Sequence, residues 1–412
     1  MTIFRPFPCI RPRADLASSI AALPYDVYNS AEARTIVQQN PLSFLTVDRA
    51  ETLLPEGTDL YSPQVYEKAR GQLHSMINSG YFEKDKDTCY YLYELTMDGR
   101  SQTGWVGLSS VDDYENQVIR RHENTRADKE KDRICHITTL KAQTGPIFLA
   151  YRSCEDLHQT MEALKKAPPI YDFTAEDQVR HRVWRVSDLH IIHTIGASFE
   201  KIPHTYIADG HHRAASAVRV ALNERKAHPD YDGSEEFNYF LSVAFPDDQL
   251  KILDYNRVIR DLNGYTPEDF LNALPLDFTV EDCGTVPVSP SGKQEFGLYT
   301  AGRWYRLTKK TPVCSDDPTD SLDVSILQTQ ILKPLLGIHD PKTDKRIRFV
   351  GGIRGLTELQ RLVDEQGDGA AFSMYPTSMQ ELFDVADAKM LMPPKSTWFE
   401  PKLRSGLFIH QI

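Results

Sequence analysis

The run Tyr206-Ile207-Ala208-Asp209-Gly210-His211-His212-Arg213, followed at once by Ala214-Ala215-Ser216-Ala217-Val218-Arg219-Val220-Ala221-Leu222, constrains this chain more than any other stretch. The apolar residues up to Ala208 predict a short strand, Gly210 a turn, and the alanine-rich segment a helix. A helix that begins at such a junction aims backbone N–H groups and the positive end of its dipole at one spot. His211, His212 and Arg213 stand at that spot. Arg213 can bind two phosphate oxygens at once, and the histidines can donate hydrogen bonds or a proton. Asp209 beside them suits a cation such as Mg²⁺ that accompanies a phosphate, or the orientation of a substrate hydroxyl. The plainer alternative is a helix N-terminus with a few satisfied polar residues. Asp-Gly-His-His-Arg in one turn favours a site, because clusters of titratable groups mark functional centres.

At 412 residues the chain exceeds one ordinary core, so two or three domains are expected. Apolar residues make up 41% and charged residues 25%, the balance of a globular protein. No run approaches the length of a membrane span. The start, Met1-Thr2-Ile3-Phe4-Arg5-Pro6-Phe7-Pro8, lacks the apolar core of a signal peptide. Cys9, Cys89, Cys135, Cys154, Cys283 and Cys314 are scattered, with no Cys-x-x-Cys pair. That disfavours a structural zinc or a disulfide framework and fits a cytoplasmic location. A net charge of −11 opposes a general nucleic-acid binder without excluding one basic pocket for a nucleotide.

The pattern reads as mixed α/β in three sections, an N-terminal α/β domain over 1–110, a central domain over 111–260 and a C-terminal α/β domain over 261–412. In the first, Ser30 is placed to cap a helix over 31–39, and Ser62-Pro63 opens a second helix with Val65, Ala69, Leu73 and Ile77 on one face. Residues 90–95 and 103–108 read as a hairpin around Asp98-Gly99. In the second, 117–121 and 144–151 are strand candidates and 155–166 a helix. In the third, Thr266-Pro267-Glu268-Asp269 has the spacing of a capping box, and 321–338 reads as a helix kinked at Pro334.

A second constellation is His122-Glu123, at the end of a strand candidate and flanked by Arg120, Arg121 and Arg126. A carboxylate among cations can act as a general base. Alone, it reads better as part of a solvated charge run. Paired with the 209–213 turn, it supplies what phosphoryl transfer to a hydroxyl requires: a base, a phosphate cradle and a place for a metal at Asp209. Weaker candidates are Asp26 after Pro24-Tyr25, and Asp48-Arg49, which read as turn or cap residues. Gly351-Gly352-x-x-Gly355 approximates a dinucleotide fingerprint but lacks its first spacing, and close packing explains it better. Lys395 and Arg404, in a Pro-bounded tail, are candidates to approach a phosphate.

Four segments together resemble a known family: Val118-Ile119-Arg120-Arg121-His122-Glu123-Asn124-Thr125, Gln143-Thr144-Gly145-Pro146-Ile147-Phe148-Leu149, Ala208-Asp209-Gly210-His211-His212-Arg213 and Met392-Pro393-Pro394-Lys395-Ser396-Thr397-Trp398-Phe399. They look like a bacterial domain-of-unknown-function family, number ten-fifteen, often labelled ParB-like. More distantly, the turn resembles the superfamily of ParB partition proteins, sulfiredoxin and free serine kinases. The resemblance implies a ParB/sulfiredoxin-like central domain flanked by α/β segments. It implies Glu123 as the base, assisted by His122 and Asp209, and a nucleotide phosphate held by Gly210, His211, His212 and Arg213 with Thr125 and Lys395. Three departures stand out. About ninety residues separate the two motifs, which implies an insertion near 171–199. The sulfiredoxin cysteine is replaced by His211. No helix-turn-helix follows Arg213.

The expected function is therefore a small-molecule kinase that transfers a phosphoryl group from ATP or ADP, with Mg²⁺, to an amino-acid hydroxyl, foremost free L-serine. The alternatives are a non-catalytic nucleotide-binding or DNA-partition regulator and a phosphate-ester hydrolase. The partners expected are a nucleotide and a small amino acid, with a homodimer as the expected assembly, and neither membrane nor nucleic acid.

Overall fold

The computed structural model describes residues 1–367 and 369–412 as a mixed α/β protein. It divides into two compact units, Met1–Leu250 with Pro401–Ile412, and Lys251–Glu400.

The first unit is built on a nine-stranded mixed sheet. Its order is Ile119–Arg120, Thr205–Asp209, Ile147–Tyr151, Tyr239–Pro246, Arg100–Ser110, Tyr90–Met97, Arg180–Val186, Tyr171–Thr174, with Phe4–Arg5 also paired to Arg100–Ser110. Two pairings are parallel, Thr205–Asp209 with Ile119–Arg120, and Tyr239–Pro246 with Ile147–Tyr151. The expected hairpin forms: Met97 faces Arg100 across a turn in which Asp98 and Gly99 both take positive φ, as a two-residue loop between twisted strands requires. Its second strand also pairs with Tyr239–Pro246. The boundary expected at residue 110 therefore falls inside one sheet. The segment expected as an insertion contributes two strands to that sheet and the helix Leu189–Glu200.

The core beneath the sheet joins Trp105, Tyr151, Phe199 and Phe240 to the small residues Ala214, Ala217 and Ala221 of the helix His211–Ala227. Each large side chain here, such as the fully buried Phe199, contributes about 1.5–3 kcal/mol by leaving water. The alanines let the helix lie close to its neighbours. A second cluster, with Val37, Phe44, Val65, Leu73 and Ile409, packs the N-terminal helices Ser30–Gln39 and Pro63–Asn78. The first of these is capped by Asn29 rather than Ser30. The Asn29 side chain accepts from the Ala31 and Glu32 amides, and Glu32 accepts from the Asn29 amide. Asn29 and Glu32 stand at the N-cap and N3 spacing of a capping box, and the Ser30 hydroxyl accepts from Arg49 instead.

The last twelve residues belong to this first unit. His410–Gln411 pairs antiparallel with Ala142–Gln143, and bridges join Ile409 to Ile10 and Ser405 to Ala22.

The second unit is a six-stranded antiparallel sheet, ordered Phe278–Gly284, Arg303–Lys309, Glu295–Thr300, Ala370–Met374, Tyr255–Ile259, Ile347–Gly351. Gly355–Gln366 covers it with Leu359, Leu362 and Val363. The helix expected over 321–338 is shorter: Asp323–Leu327 runs into the wider turn Gln328–Leu332 and stops before Pro334. The proline ends the helix instead of kinking it: Lys333 before it keeps helical angles, but Pro334 has no N–H to donate to the preceding turn.

Candidate functional site

The strand Thr205–Asp209 and the strand Ile119–Arg120 run parallel side by side, with Thr205 opposite Ile119 and Tyr206 opposite Arg120. Their C-terminal ends therefore open on the same edge of the sheet, where α/β folds place ligands. The 209–213 turn leaves one end and the 121–126 loop leaves the other.

Gly210 makes the turn with φ +93°, a left-handed conformation that a side chain would strain. The helix His211–Ala227 starts directly after it without a side-chain cap, so its first amides face outward from the turn. Arg213 folds back over the glycine. A Cβ at Gly210 would stand 3.0 Å from Arg213 Nε, and Arg213 Nη1 donates to the Pro146 carbonyl at 2.8 Å.

Asp209 Oδ1 accepts from the Gly210 amide at 2.7 Å, and its Oδ2 pairs with Lys402 Nζ at 3.0 Å. Burial alone would raise this carboxyl, but Lys402 and Arg213 hold it well below the usual carboxylate range. Lys402 comes from the tail, which was expected to supply Lys395 and Arg404 instead. Arg404 is buried and tied to Asp177 at 2.6 Å and His181 at 3.2 Å. Lys395 belongs to the second unit, where its ammonium lies 5.8 Å over the Tyr255 ring.

The two motifs meet at their histidines. The His122 ring stands edge-on to the His211 ring with centroids 4.5 Å apart. His122 is 1% exposed and His211 7%. Burial pushes the His122 imidazole down to about 4, against the opposing pull of Asp209 and of a hydrogen bond to the Ile207 backbone. Burial, then the neighbouring His122, drives His211 well below 6.5. Burial thus holds both rings toward the neutral form, in which each can donate and accept one hydrogen bond. His211 Nε2 is buried without a hydrogen-bond partner. His212 Nε2 accepts from the Arg126 amide at 3.0 Å.

Glu123 is half-buried in the loop between those two contacts. His122 on one side of it and Arg126 on the other both touch the 209–213 turn. Thr125 donates to Glu130 in the first turn of the helix Ala127–Leu140, so its hydroxyl serves the helix start.

The site is cationic, with Arg213, Lys402 and Arg121 around one paired carboxylate. Arg121 is near enough to lower His211 further. Asp209, the expected Mg²⁺ ligand, is paired with Lys402, and among the described residues no three His, Cys, Asp or Glu side chains are grouped to hold a metal, which leaves a donor set dominated by cations. It suits an anion with several oxygens, a phosphate above all.

Lys129, Asp132, Arg133 and His136 escaped the sequence reading. Their spacing of i, i+3, i+4 and i+7 places them on one face of Ala127–Leu140, where a core stripe would be apolar. That polar stripe was the available signal. Asp48, a weaker candidate of the sequence, and Tyr25 line the same cavity as that stripe.

One family model, described as "Protein of unknown function (DUF1015)", matches residues 4–325. No curated protein matches the chain. Similar solved structures include a free serine kinase in complex with AMP, at 13% identity and TM-score 0.36, covering 71% of this chain and 86% of that one. They also include SbnI with a C-terminal truncation from Staphylococcus aureus, at 12% identity and TM-score 0.36, covering 72% and 82%. A conserved hypothetical protein from Pyrococcus furiosus matches at 13% identity and TM-score 0.34, covering 72% and 92%. Likenesses this distant carry no argument about activity. Among the described residues, no helix is long and apolar enough to cross a membrane.

Proposed function

Because the chain belongs to this family of unknown function, its activity must be read from its own site, and we propose a small-molecule kinase that phosphorylates an amino-acid hydroxyl, foremost that of free L-serine. One observation carries the reading: the parallel pairing of Ile119–Arg120 with Thr205–Asp209, which sets His122 against His211 and suspends Glu123 beside the phosphate-favouring turn. The terminal phosphate of ATP or ADP sits at the N-terminus of His211–Ala227, with Arg213 and the first-turn amides on its oxygens. His211 Nε2, buried and neutral, is a ready hydrogen-bonding partner for it. Glu123 takes the proton of the acceptor hydroxyl as that oxygen attacks phosphorus. The bond from phosphorus to the leaving nucleotide oxygen breaks, and the shorter nucleotide departs with the electron pair. Lys402 keeps Asp209 ionised and oriented, which stops the carboxylate from competing with Glu123 for the proton.

The test is a product assay with the purified full chain, ATP or ADP, divalent cations and a pool of hydroxy amino acids, read by mass spectrometry. O-phosphoserine that depends on the protein and on the nucleotide is the expected result. Nucleotide binding without any phosphorylated product would leave a non-catalytic binding module. Inorganic phosphate as the sole product would leave a hydrolase.

A further inference from the structure

Resting on that kinase reading, we propose that the cavity along the polar face of Ala127–Leu140 is the acceptor site and that Asp48 binds the acceptor's ammonium group, which makes the substrate class hydroxy amino acids rather than polyols or amine-free hydroxy acids. The cavity has a volume of about 430 Å³, within the usual range of small-molecule sites. A second, water-sized space of about 30 Å³ adjoins it, and Tyr25, Asp48, Arg133 and His136 border both. Arg213 of the phosphate turn borders the smaller space, so that space links the turn to residues that line the cavity.

The charges around the cavity single out Asp48. Arg49 is taken by Glu51 at 2.7 Å, and Arg133 by Asp132 at 2.7 Å. Arg133 also stacks over the Tyr25 ring at 4.0 Å, and Tyr66 donates to Asp132. Of the other carboxylates of the lining, Glu51 and Asp132 are the partners of these arginines and Asp26 is exposed. Asp48 is buried, its side chain 4% exposed, and accepts from the Thr144 hydroxyl at 2.9 Å. Its nearest basic group is His136 Nε2 at 3.9 Å, and burial holds that imidazole down to about 3, so it is neutral. The Arg133 charge acts on Asp48 from farther away, but a buried carboxylate with no cation in direct contact is costly unless a ligand supplies one. An ammonium group does so, and three N–H donors can be shared among Asp48, the Tyr25 hydroxyl and water.

The experiment is calorimetry on the full chain with L-serine and with glycerate, which replaces the ammonium by a hydroxyl, each with and without ADP. Serine should bind on the order of 10–100-fold more tightly than glycerate. Asp48→Asn should reduce serine to the level of glycerate and leave ADP affinity unchanged. Equal binding of serine and glycerate, absence of serine binding, or an unaltered serine affinity in a folded Asp48→Asn would overturn the assignment. If the variant does not fold, the serine-to-glycerate ratio of the unmodified protein decides alone. ADP binding is read separately, so failure of the phosphate turn and failure of the acceptor pocket give different results.

Discussion

The chain contains two strand–glycine–helix junctions, one in each unit, and only one of them assembles chemistry. In the first unit, Gly210 turns the strand Thr205–Asp209 into His211–Ala227 and gathers Asp209, two neutral histidines, Arg213, Lys402 and the loop that carries Glu123. In the second, Ile347–Gly351 passes through Gly352–Arg354 into Gly355–Gln366. Its glycines serve packing. A Cβ on Gly351 would stand 2.8 Å from the Trp398 indole, and one on Gly352 would overlap the Asp254 carboxylate. The side chains at that turn are Ile353, exposed, and Arg354, whose partner is Glu358 at 3.9 Å. Glycine spacing therefore marks a close backbone approach in both units. What approaches decides the role: polar side chains from a second motif in one case, an indole in the other.

The largest expected difference is in turnover. Glu123→Gln keeps the shape and loses the base, so the rate should fall ~10²–10⁴-fold with nucleotide affinity retained. Glu358→Gln, the matching acid beside the second turn, pairs with Arg361 at the surface and should leave the rate alone. Steady-state kinetics on both variants breaks the comparison if the two behave alike.

Binding comes next. Arg213→Ala removes a guanidinium from the turn and should weaken nucleotide affinity on the order of 10–100-fold, measured by calorimetry. Because Arg213 also bonds the Pro146 carbonyl, some stability goes with it, and circular dichroism must show a folded variant.

The glycines themselves separate site from packing. Gly352→Ala should destabilise the protein by about 1–3 kcal/mol in denaturant unfolding and spare nucleotide affinity. Gly210→Ala is strained by a similar amount, on the order of 1–3 kcal/mol, and should lose affinity as well, since Arg213 must move.

The last comparison is a pH dependence of opposite sign in the two units. His122 and His136, held down to about 4 and 3 by burial, favour the fold while neutral. Their contribution is complete above about 6.5 and is lost as pH falls toward 4. Asp323 in the second unit is raised to about 7 by burial, opposed by the Gln294 amide, with Glu381 adding to the rise. Its Oδ2 is buried without a hydrogen-bond partner. Its contribution is complete below about 3.8 and is lost as pH rises through 7, at about 1.4 kcal/mol per pH unit at most. Hydrogen exchange resolved by segment should show acid loosening the first unit and rising pH loosening the second, with Asp323→Asn abolishing the second trend.

The local parts of this design were legible in the sequence: the 209–213 turn and the Asp98-Gly99 hairpin follow from neighbouring residues. The parts that depend on distant pairing were not. Lys402 reaches Asp209 only because the tail returns to the first unit, and nothing near Lys402 records that return. The tail candidates Lys395 and Arg404 have the same chemistry, but one sits in the second unit and the other is tied to Asp177. Asp48 resembles a cap until Thr144, nearly a hundred residues away, is seen to bond it.

A crystal structure of the full chain with ADP tests the central claim most directly. The account predicts the terminal phosphate at the N-terminus of His211–Ala227, within hydrogen-bonding reach of Arg213 and His211 Nε2, with the Glu123 carboxylate facing it across the space an acceptor hydroxyl would fill. A phosphate bound at the Gly352–Arg354 turn, or one at Gly210 with Glu123 turned away to solvent, would contradict it.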